Sequence, residues 1–255
     1  LETYKTSTGA DGYNQQGIGT SSSMAILYKK GGSYGDLYTT DFARNADGSL
    51  KLYDGVPATS QDNKDSFKKY LGNMNAKTQL GWHNTFTYKG LSLYFLIDGK
   101  IGGKVISFTE AYLDRLGLSK RTGEARMLCE ADMDHLMFQD SEGDWYPGMT
   151  LPDGQIAPIQ KYYEQIGTLR SSEDYVYDGT NFRLRELSIG YTFKNLLGAG
   201  RNLSFSLIGR NLFFLYKNAP VDPETSITGQ NGLGNIDIFN MPSARSFGLS
   251  ASISF

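Results

Sequence analysis

The clearest pattern in the chain is a strict alternation of apolar and polar residues close to the C-terminus. The apolar positions are Phe247, Leu249, Ala251, Ile253 and Phe255, and the positions between them are Ser246, Gly248, Ser250, Ser252 and Ser254. Side chains of a β-strand point alternately to opposite faces of the sheet. The segment therefore predicts a strand with one apolar face and one small, polar face.

Four further segments alternate in the same way. They lie at Leu80–Tyr88, Leu91–Asp98, Glu186–Phe193 and Leu203–Leu207. Two weaker strands, about Ser22 to Tyr28 and Ser33 to Phe42, flank the turn Lys29–Gly32. The pattern therefore predicts an all-β chain with about seven strands.

The connections between these strands are either very short or very long. The short ones are Lys29–Gly32, Tyr88–Gly90 and Asn195–Gly200, and the long ones run roughly from Ala43 to Asn75, Lys104 to Thr180 and Lys217 to Pro242. Outer-membrane β-barrels have this asymmetry, with tight turns at one end and long loops at the other. A soluble β-sandwich, whose half-buried strands also alternate, is the alternative.

The composition favours the same class and excludes others. The 255 residues include 30 Gly, 17 Tyr and 14 Phe, only 20% are charged, and the net charge is -2. This balance gives no electrostatic footprint for nucleic acid. The longest nearly apolar stretch, Leu91–Ile97, is far shorter than the ~18 to 20 residues of a membrane-spanning helix, whereas a spanning strand needs only ~9 to 11. Outer-membrane lipid is therefore an expected partner.

The number of strands indicates a part of a larger barrel. Closed bacterial barrels begin at about eight strands, and plugged transporters have about 22. We therefore expect residues 1–255 to be the C-terminal part of a barrel whose plug and upstream strands are absent from this chain. We expect the lumen to be faced by Ser188, Gly190, Ser250 and Ser252. The residues expected to face lipid are Leu187, Ile189, Tyr191, Phe193, Leu249, Ile253 and Phe255.

Several blocks, in order along the chain, carry a resemblance to a known family. The longest are Tyr177–Tyr191 (YDGTNFRLRELSIGY), Gly209–Phe213 (GRNLF), Tyr216–Pro220 (YKNAP), Asp222–Glu224 (DPE) and Met241–Gly248 (MPSARSFG). With further blocks upstream, the chain from about Tyr28 onward resembles the C-terminal end of SusC-like TonB-dependent transporters of the Bacteroidota outer membrane.

The resemblance implies a 22-stranded, plugged transmembrane barrel with long extracellular loops and a periplasmic C-terminus. It also implies import of glycan or oligopeptide across the bacterial outer membrane. The implied partners are a SusD-like surface lipoprotein and TonB, which would act through the missing N-terminal part. A non-transporting, β-rich surface binding module is the alternative function.

Catalysis, cofactors and metals find no support in the residues. His83 and His135 lie far apart with no metal-ligand spacing, and no nucleophile motif of the form G-x-S-x-G occurs. We expect no enzyme activity, no cofactor and no metal site. Cys129 is expected to be a loop residue. The carboxylate-rich segment Glu130–Asp144 is expected to be a solvated loop, with binding of a cation or a hydroxyl-rich ligand as the alternative.

The candidate binding residues lie in the long connection from Lys104 to Thr180. They are Trp145, Tyr146, Tyr162, Tyr163 and Asp144. Exposed aromatic side chains can stack on sugar rings or grip peptide side chains, and Asp144 can accept a hydroxyl or a cation. Packing within the loop is the alternative role of the aromatic residues. Apolar spacing predicts two short helices in this connection, at Phe108–Leu116 and Ile159–Ile166.

Overall fold

The computed structural model describes residues 12–17, 24–29, 31–58, 69–168, 173–196, 198, 200–225 and 235–254. The contacts divide the chain into two compact units. One, called here the helical unit, comprises residues 1–74, 106–176 and 227–239. The other, called the sheet unit, comprises residues 75–105, 177–226 and 240–255. Phe255 and the start of the first weak strand, Ser22 and Ser23, lie outside the described residues.

The described strands, in chain order, are β1 (Gly12–Gly17), β2 (Met24–Lys29), β3 (Asp36–Thr39), β4 (Leu52–Tyr53), β5 (Val56–Pro57), β6 (Lys69–Asn73), β7 (Thr78–Tyr88), β8 (Leu91–Ile101), β9 (Lys104–Ser107), β10 (Met137–Gln139), β11 (Trp145–Thr150), β12 (Ile156–Pro158), β13 (Val176–Asp178), β14 (Asn181–Phe193), β15 (Asn202–Lys217), β16 (Ile236–Asp237) and β17 (Ser246–Ser254). The helices are α1 (Phe108–Arg115), α2 (Lys120–Ala131), α3 (Met133–Leu136) and α4 (Ile159–Gly167), and a 3-10 turn covers Glu173–Tyr175.

The sheet unit contains one five-stranded antiparallel sheet in the order β17-β15-β14-β8-β7. These are the five strands that the alternation predicts most clearly, and the structure confirms them. Strands β7 and β8 are joined through Lys89 (φ 46°) and Gly90 (φ 91°). Two successive residues with positive φ are typical of the type I′ turn, whose twist matches that of a hairpin.

The register gives this sheet two chemically different faces. Phe86, Leu93, Ile189, Leu207 and Leu249 form one continuous cross-strand row. The adjacent row is Thr87, Ser92, Gly190, Ser206 and Ser250. Because directly paired residues share a face, the first row belongs to an apolar face and the second to a mainly small and polar face. All described residues that we expect to face lipid lie on the apolar face. Those that we expect to face the lumen lie on the opposite face.

A β-bulge keeps the apolar face continuous along β14. Leu184 pairs with Ile97, but Glu186 pairs with the next residue of β8, Leu96, so that Arg185 is an extra residue. Without this insertion, Leu184 and Leu187 would lie on opposite faces, because side chains alternate with a period of two. On the β15 side the register shifts as well, and Asn211 there has a φ of 53°. Such bulges redirect a side chain, here Arg185.

The helical unit combines small sheets with all four described helices. A four-stranded sheet has the order β1-β2-β3-β6, and β10, β11 and β12 form an antiparallel meander. The two weaker predicted strands pair here as β2 and β3. The main core comprises Met24, Ile26, Leu37, Phe42, Met74, Ile106, Phe108, Ala111, Ile166, Tyr175 and Ile236. A second cluster of buried residues comprises Ala125, Cys129 and Ile159.

Both predicted helices are confirmed as α1 and α4, but α2 was not predicted. Helix α2 begins where the Oγ of Ser119 accepts a hydrogen bond from the backbone N–H of Thr122. Its buried residues are only Thr122, Ala125 and Cys129, so it shows no apolar stripe in the sequence. The expectation that Cys129 is a loop residue is therefore wrong, because Cys129 is only 3% exposed and packs in the second core cluster. The start of the carboxylate-rich segment is helical rather than a loop.

None of the helices in the described residues is long and apolar enough to cross a membrane.

Candidate functional site

A cavity of about 310 Å³ lies within the helical unit. Its lining comes from the end of α1 and the following turn, from α2, from β11 and from α4. The lining residues are Asp114, Arg115, Leu116, Gly117, Thr122, Arg126, Tyr146, Pro147, Ile159, Gln160 and Tyr163. Ligand cavities in proteins begin at about this volume, and they combine apolar walls with a few placed polar groups.

Close packing of α1 against α4 forms one wall of the cavity. A Cβ atom on Gly167, near the end of α4, would lie 2.6 Å from the backbone oxygen of Ala111 and 2.8 Å from the Cβ of Arg115. Only glycine therefore permits this approach of the two helices. After α1 the chain turns at Gly117 (φ 69°), whose backbone oxygen accepts a hydrogen bond of 2.9 Å from Arg126 Nη2.

A buried carboxylate lies at the base of this wall. Asp114 is 1% exposed, and its Oδ2 accepts hydrogen bonds from the Tyr175 hydroxyl (2.8 Å) and from Arg121. Its Oδ1 has no hydrogen-bond partner among the described residues. Burial, followed by the charge of Asp114, raises the pKa of Tyr175, so the phenol remains a neutral donor. Burial alone would lower the pKa of Arg121, but its bond to Asp114 raises it, so the ion pair persists at neutral pH.

Two of the predicted aromatic residues line the cavity. The Nζ atom of Lys161 lies 3.8 Å from the ring centroid of Tyr146 and 3.0 Å from Asp140 Oδ2. These contacts hold the Tyr146 ring in place, and they raise the pKa of Lys161. Tyr163 is half-buried and packs against both core clusters. Burial raises the pKa of Tyr163.

The other three predicted residues do not line the cavity. Tyr162 packs against the main core, with its ring edge-on to Tyr163 at 5.5 Å. Trp145 is 61% exposed at the start of β11. Asp144 is exposed, and its backbone N–H donates a hydrogen bond of 3.0 Å to Asp140 Oδ1. Contact of any of these residues with a ligand stays a prediction. In the part of the chain that the structure describes, no three His, Cys, Asp or Glu side chains are grouped as a metal site would require.

A second polar site, in the sheet unit, was missed as a site by the sequence reasoning. Arg185 Nη2 contacts Asp98 Oδ2 at 2.7 Å and Glu224 Oε1 at 2.8 Å. Arg183 Nη1 contacts Glu224 Oε2 at 3.0 Å and the Ser243 hydroxyl at 2.6 Å. Asp222 accepts a hydrogen bond from Ser243 and completes this group of side chains. We call the group the arginine cluster. The cluster joins β8 and β14 to the segments that follow β15 and precede β17.

The sequence did contain a signal for this cluster. In Tyr177–Tyr191 the apolar positions change phase between Leu184 and Leu187, and a change of phase within a strand indicates a bulge. Two arginines beside such a bulge indicate that this part of the strand holds a polar site. Their carboxylate partners lie about 40 and 90 residues away, at Glu224 and Asp98, and no local pattern predicts that pairing.

Comparisons with known proteins agree with this architecture. No protein-family model matches the chain. The chain is 24% identical over 196 residues to TonB-dependent receptor P3 of Formosa agariphila, which covers 74% of the chain and 17% of that receptor. It is 27% identical over 161 residues to TonB-dependent receptor P26 of the same organism, covering 61% of the chain and 14% of that receptor. The chain thus spans less than a fifth of the curated relatives that it matches.

A solved structure shows the same fold. A chain of the RagAB peptide importer in an "open-open" state matches 98% of this chain and 24% of its own length, with a TM-score of 0.54 and 15% identity. The predicted all-β, antiparallel fold class is therefore confirmed, since the described strands match those of a chain of that importer. The resemblance to SusC-like TonB-dependent outer-membrane transporters, inferred from the sequence blocks, is confirmed by these matches.

Proposed function

We propose that this chain forms part of the wall and loops of a transporter that imports glycan or oligopeptide across the bacterial outer membrane. In this proposal, residues 1–255 are the C-terminal part of the barrel, and TonB supplies the energy through an N-terminal part of the protein. A SusD-like surface lipoprotein is the partner that captures substrate outside. No step of this function requires chemistry on the substrate.

The observation that carries the proposal is the two-faced sheet of the sheet unit. On its apolar face Trp82 is 59% exposed, Leu207 52% and Leu249 88%. Soluble proteins rarely expose a continuous apolar surface of this kind, whereas a barrel covers it with lipid. The opposite face, with its rows of Ser, Thr and Gly, suits a water-filled lumen.

The strand lengths support the same conclusion. Strands β7 and β8 have 11 residues each, β14 has 13 and β15 has 16. At a rise of ~3.3 Å per residue and a tilt of ~45°, eleven residues cover ~25 Å, the height of the apolar band of a barrel. The tight turns after Tyr88 and Phe193 would then lie on the periplasmic side. All three long connections would lie outside the cell.

The loop residues have a role in this proposal. The connection from β8 to β14 carries the cavity and the exposed Trp145. We therefore expect substrate or the lipoprotein partner to contact five residues of this loop. They are Trp145, Tyr146, Tyr162, Tyr163 and Asp144.

Cysteine labelling of the full-length protein in outer membranes tests the assignment of the two faces. Single cysteines would replace Ile189 and Leu249 on the apolar face, and Ser188 and Ser250 on the opposite face. The native Cys129 is buried and gives little background. A lipophilic maleimide should label the first pair and a water-soluble maleimide the second. Equal labelling of both pairs by the soluble reagent would favour the alternative, a surface binding module outside the membrane.

A further inference from the structure

The cavity of the helical unit has guanidinium groups that the protein itself does not neutralise. Among the described residues, Arg115 makes no hydrogen bond or ion pair, and Arg126 donates only to the backbone oxygen of Gly117. The lining carboxylate, Asp114, is already paired with Arg121 and Tyr175. Both arginines are exposed, so the cavity is bordered by positive charge whose N–H donors are open to a ligand. A guanidinium matches a carboxylate through two parallel hydrogen bonds.

The rest of the lining is mainly apolar. Leu116, Tyr146, Pro147, Ile159 and Tyr163 supply apolar or aromatic surface, whereas Thr122 and Gln160 are the neutral polar side chains. A sugar ring carries several hydroxyl groups, and each of them loses free energy if it is buried without a partner. An apolar side chain has no such requirement. The lining thus suits an apolar group attached to a carboxylate better than it suits a monosaccharide.

Asp114 does not take part in this recognition, because its side chain is fully buried and has no surface open to a ligand. The C-terminal residue of a peptide combines the two groups that the lining suits: a carboxylate for the guanidinium groups, and a side chain that can be apolar.

We propose that this cavity binds the C-terminal residue of an oligopeptide, with the carboxylate at Arg115 and Arg126 and an apolar side chain between Tyr146, Pro147 and Ile159. This inference rests on the proposed function, and it names peptides with a free, apolar C-terminal residue as the substrate class that the loop selects.

The test is calorimetric binding of two matched peptides to the full-length transporter in detergent. One is the acetylated tripeptide Gly-Gly-Leu with a free carboxylate, and the other is the same peptide with a C-terminal amide. The wild-type protein should bind the free carboxylate at least about tenfold more tightly, as expected for a charge-assisted pair. Arg126→Gln should remove that preference. Arg115→Gln, which breaks no bond among the described residues, should reduce it without any effect on folding.

Lys120→Gln is the matched control. Lys120 lies on the same helix as Arg126 and carries the same charge, but its side chain is 90% exposed and does not line the cavity. Its removal should leave both affinities unchanged. Equal loss in Lys120→Gln and Arg126→Gln would show a general charge effect and overturn the proposal. So would displacement of the peptide by an oligosaccharide of glucuronic acid at equal or lower concentration.

The outcomes separate this inference from the proposed function. If the wild-type transporter imports substrate in a TonB-dependent manner but binds the acid and the amide equally, the cavity assignment is wrong and the transport function stands. If cells with the wild-type protein show no TonB-dependent uptake of any peptide or glycan, the proposed function itself is wrong.

Discussion

The arginine cluster shows how single side chains hold a long loop against a strand. Charges alternate from Asp98 through Arg185 to Glu224, and from there through Arg183 to Asp222. Arg183 is 3% exposed, so removal of either carboxylate would leave this buried charge with only one of its two partners. Phe214 also lies beneath Arg183, with 4.6 Å between the guanidinium carbon and the ring centroid. The segment from Asp222 to Glu224 is therefore fixed chiefly by electrostatics.

Acid should release this segment. Burial alone would raise the pKa of both Glu224 and Asp222. The hydrogen bonds and charge of Arg185 outweigh burial at Glu224, and hydrogen bonds from Ser243 help to outweigh it at Asp222, so both pKa values are lowered. A lowered pKa means that the stabilisation is complete above the ordinary values, 4.5 and 3.8, and is lost as the pH falls below them. Hydrogen exchange followed downward from about pH 6, corrected for intrinsic rates, should show protection at residues 218–225 that falls as the pH falls below these ordinary values. Glu224→Gln should remove part of this pH dependence, and unchanged protection in the wild type would contradict the prediction.

Trp145 is exposed and Tyr163 is packed in the core, so only Trp145→Ala tests binding without disturbing the fold. Tyr163 packs against both core clusters, so Tyr163→Ala would disturb folding as well as any binding. Trp145 is 61% exposed, so Trp145→Ala should change only contacts with an outside molecule. A stacked aromatic ring is worth about 0.5 to 1.5 kcal/mol beyond its buried area, which predicts an uptake or partner affinity about two- to tenfold weaker.

The measurement is substrate uptake and affinity for the proposed lipoprotein partner, at equal amounts of protein on the cell surface. Tyr53→Ala is a control of similar exposure, since Tyr53 is 62% exposed outside this loop. We expect it to have no effect. Wild-type values for Trp145→Ala would mean that Trp145 has no part in recognition.

At the scale of residues, the sequence identified the aromatic candidates, but it did not predict which of them line the cavity. Tyr146 and Tyr163 line the cavity, while the adjacent Trp145 and Tyr162 do not, because neighbouring positions on a strand or helix point in different directions. The guanidiniums of Arg115 and Arg126 come from two helices, and α2 has too few buried apolar residues to be recognised. Without α2, no sequence pattern brings Arg126 to the cavity.

At the scale of elements, period-two alternation predicted each strand of the five-stranded sheet. It succeeded because the two faces of that sheet differ in chemistry, one apolar and one mainly small and polar, along the paired rows of each strand. The helical unit is different, since its helices and short strands are held by packing between distant segments. There the sequence predicted α1 and α4 but not the contact between them.

That contact can be tested with a pair of helical glycines. Gly167→Ala would place a methyl group against the backbone of α1, which should destabilise the packing of α1 on α4 by about 1 to 3 kcal/mol. Gly123 lies within α2, and a Cβ there would meet nothing within 4 Å. Gly123→Ala should therefore stabilise its helix by about 0.5 to 1 kcal/mol, because alanine loses less backbone entropy than glycine.

Hydrogen exchange of the amides of α1 and α2 in the full-length protein measures both effects. We expect faster exchange in α1 for Gly167→Ala and slower exchange in α2 for Gly123→Ala. Wild-type protection of α1 in Gly167→Ala would show that the two helices can separate slightly without loss of stability.

At the scale of the whole molecule, the connectivity of the sheet explains where the binding elements lie. The C-terminal ends of β8 and β15 and the N-terminal ends of β14 and β17 all lie at one end of the sheet. The long connections leave from that end, and the tight turns close the other. The sequence predicted this asymmetry from loop lengths alone. It could not predict that the weaker strands β2 and β3 pair within a different sheet, because pairing depends on distant partners such as β6.

The two outer strands of the five-stranded sheet each have one unpaired edge among the described residues. Among the described residues, β7 pairs only with β8, and β17 pairs only with β15. Unpaired N–H and C=O groups along such edges cannot be satisfied in hydrocarbon, where each costs several kcal/mol. Residues 1–255 by themselves should therefore not form a stable barrel in detergent or lipid.

Semi-native gel electrophoresis, with and without heating, checks this directly. The full-length transporter should migrate as a compact, heat-resistant monomer and shift on boiling, as closed barrels do. Residues 1–255 refolded alone should show no heat-dependent shift, and should instead associate through their free strand edges, because pairing with another chain is the remaining way to satisfy those groups. A heat-resistant monomer of residues 1–255 would mean that the edges close on each other, and the wall would then be complete without upstream strands.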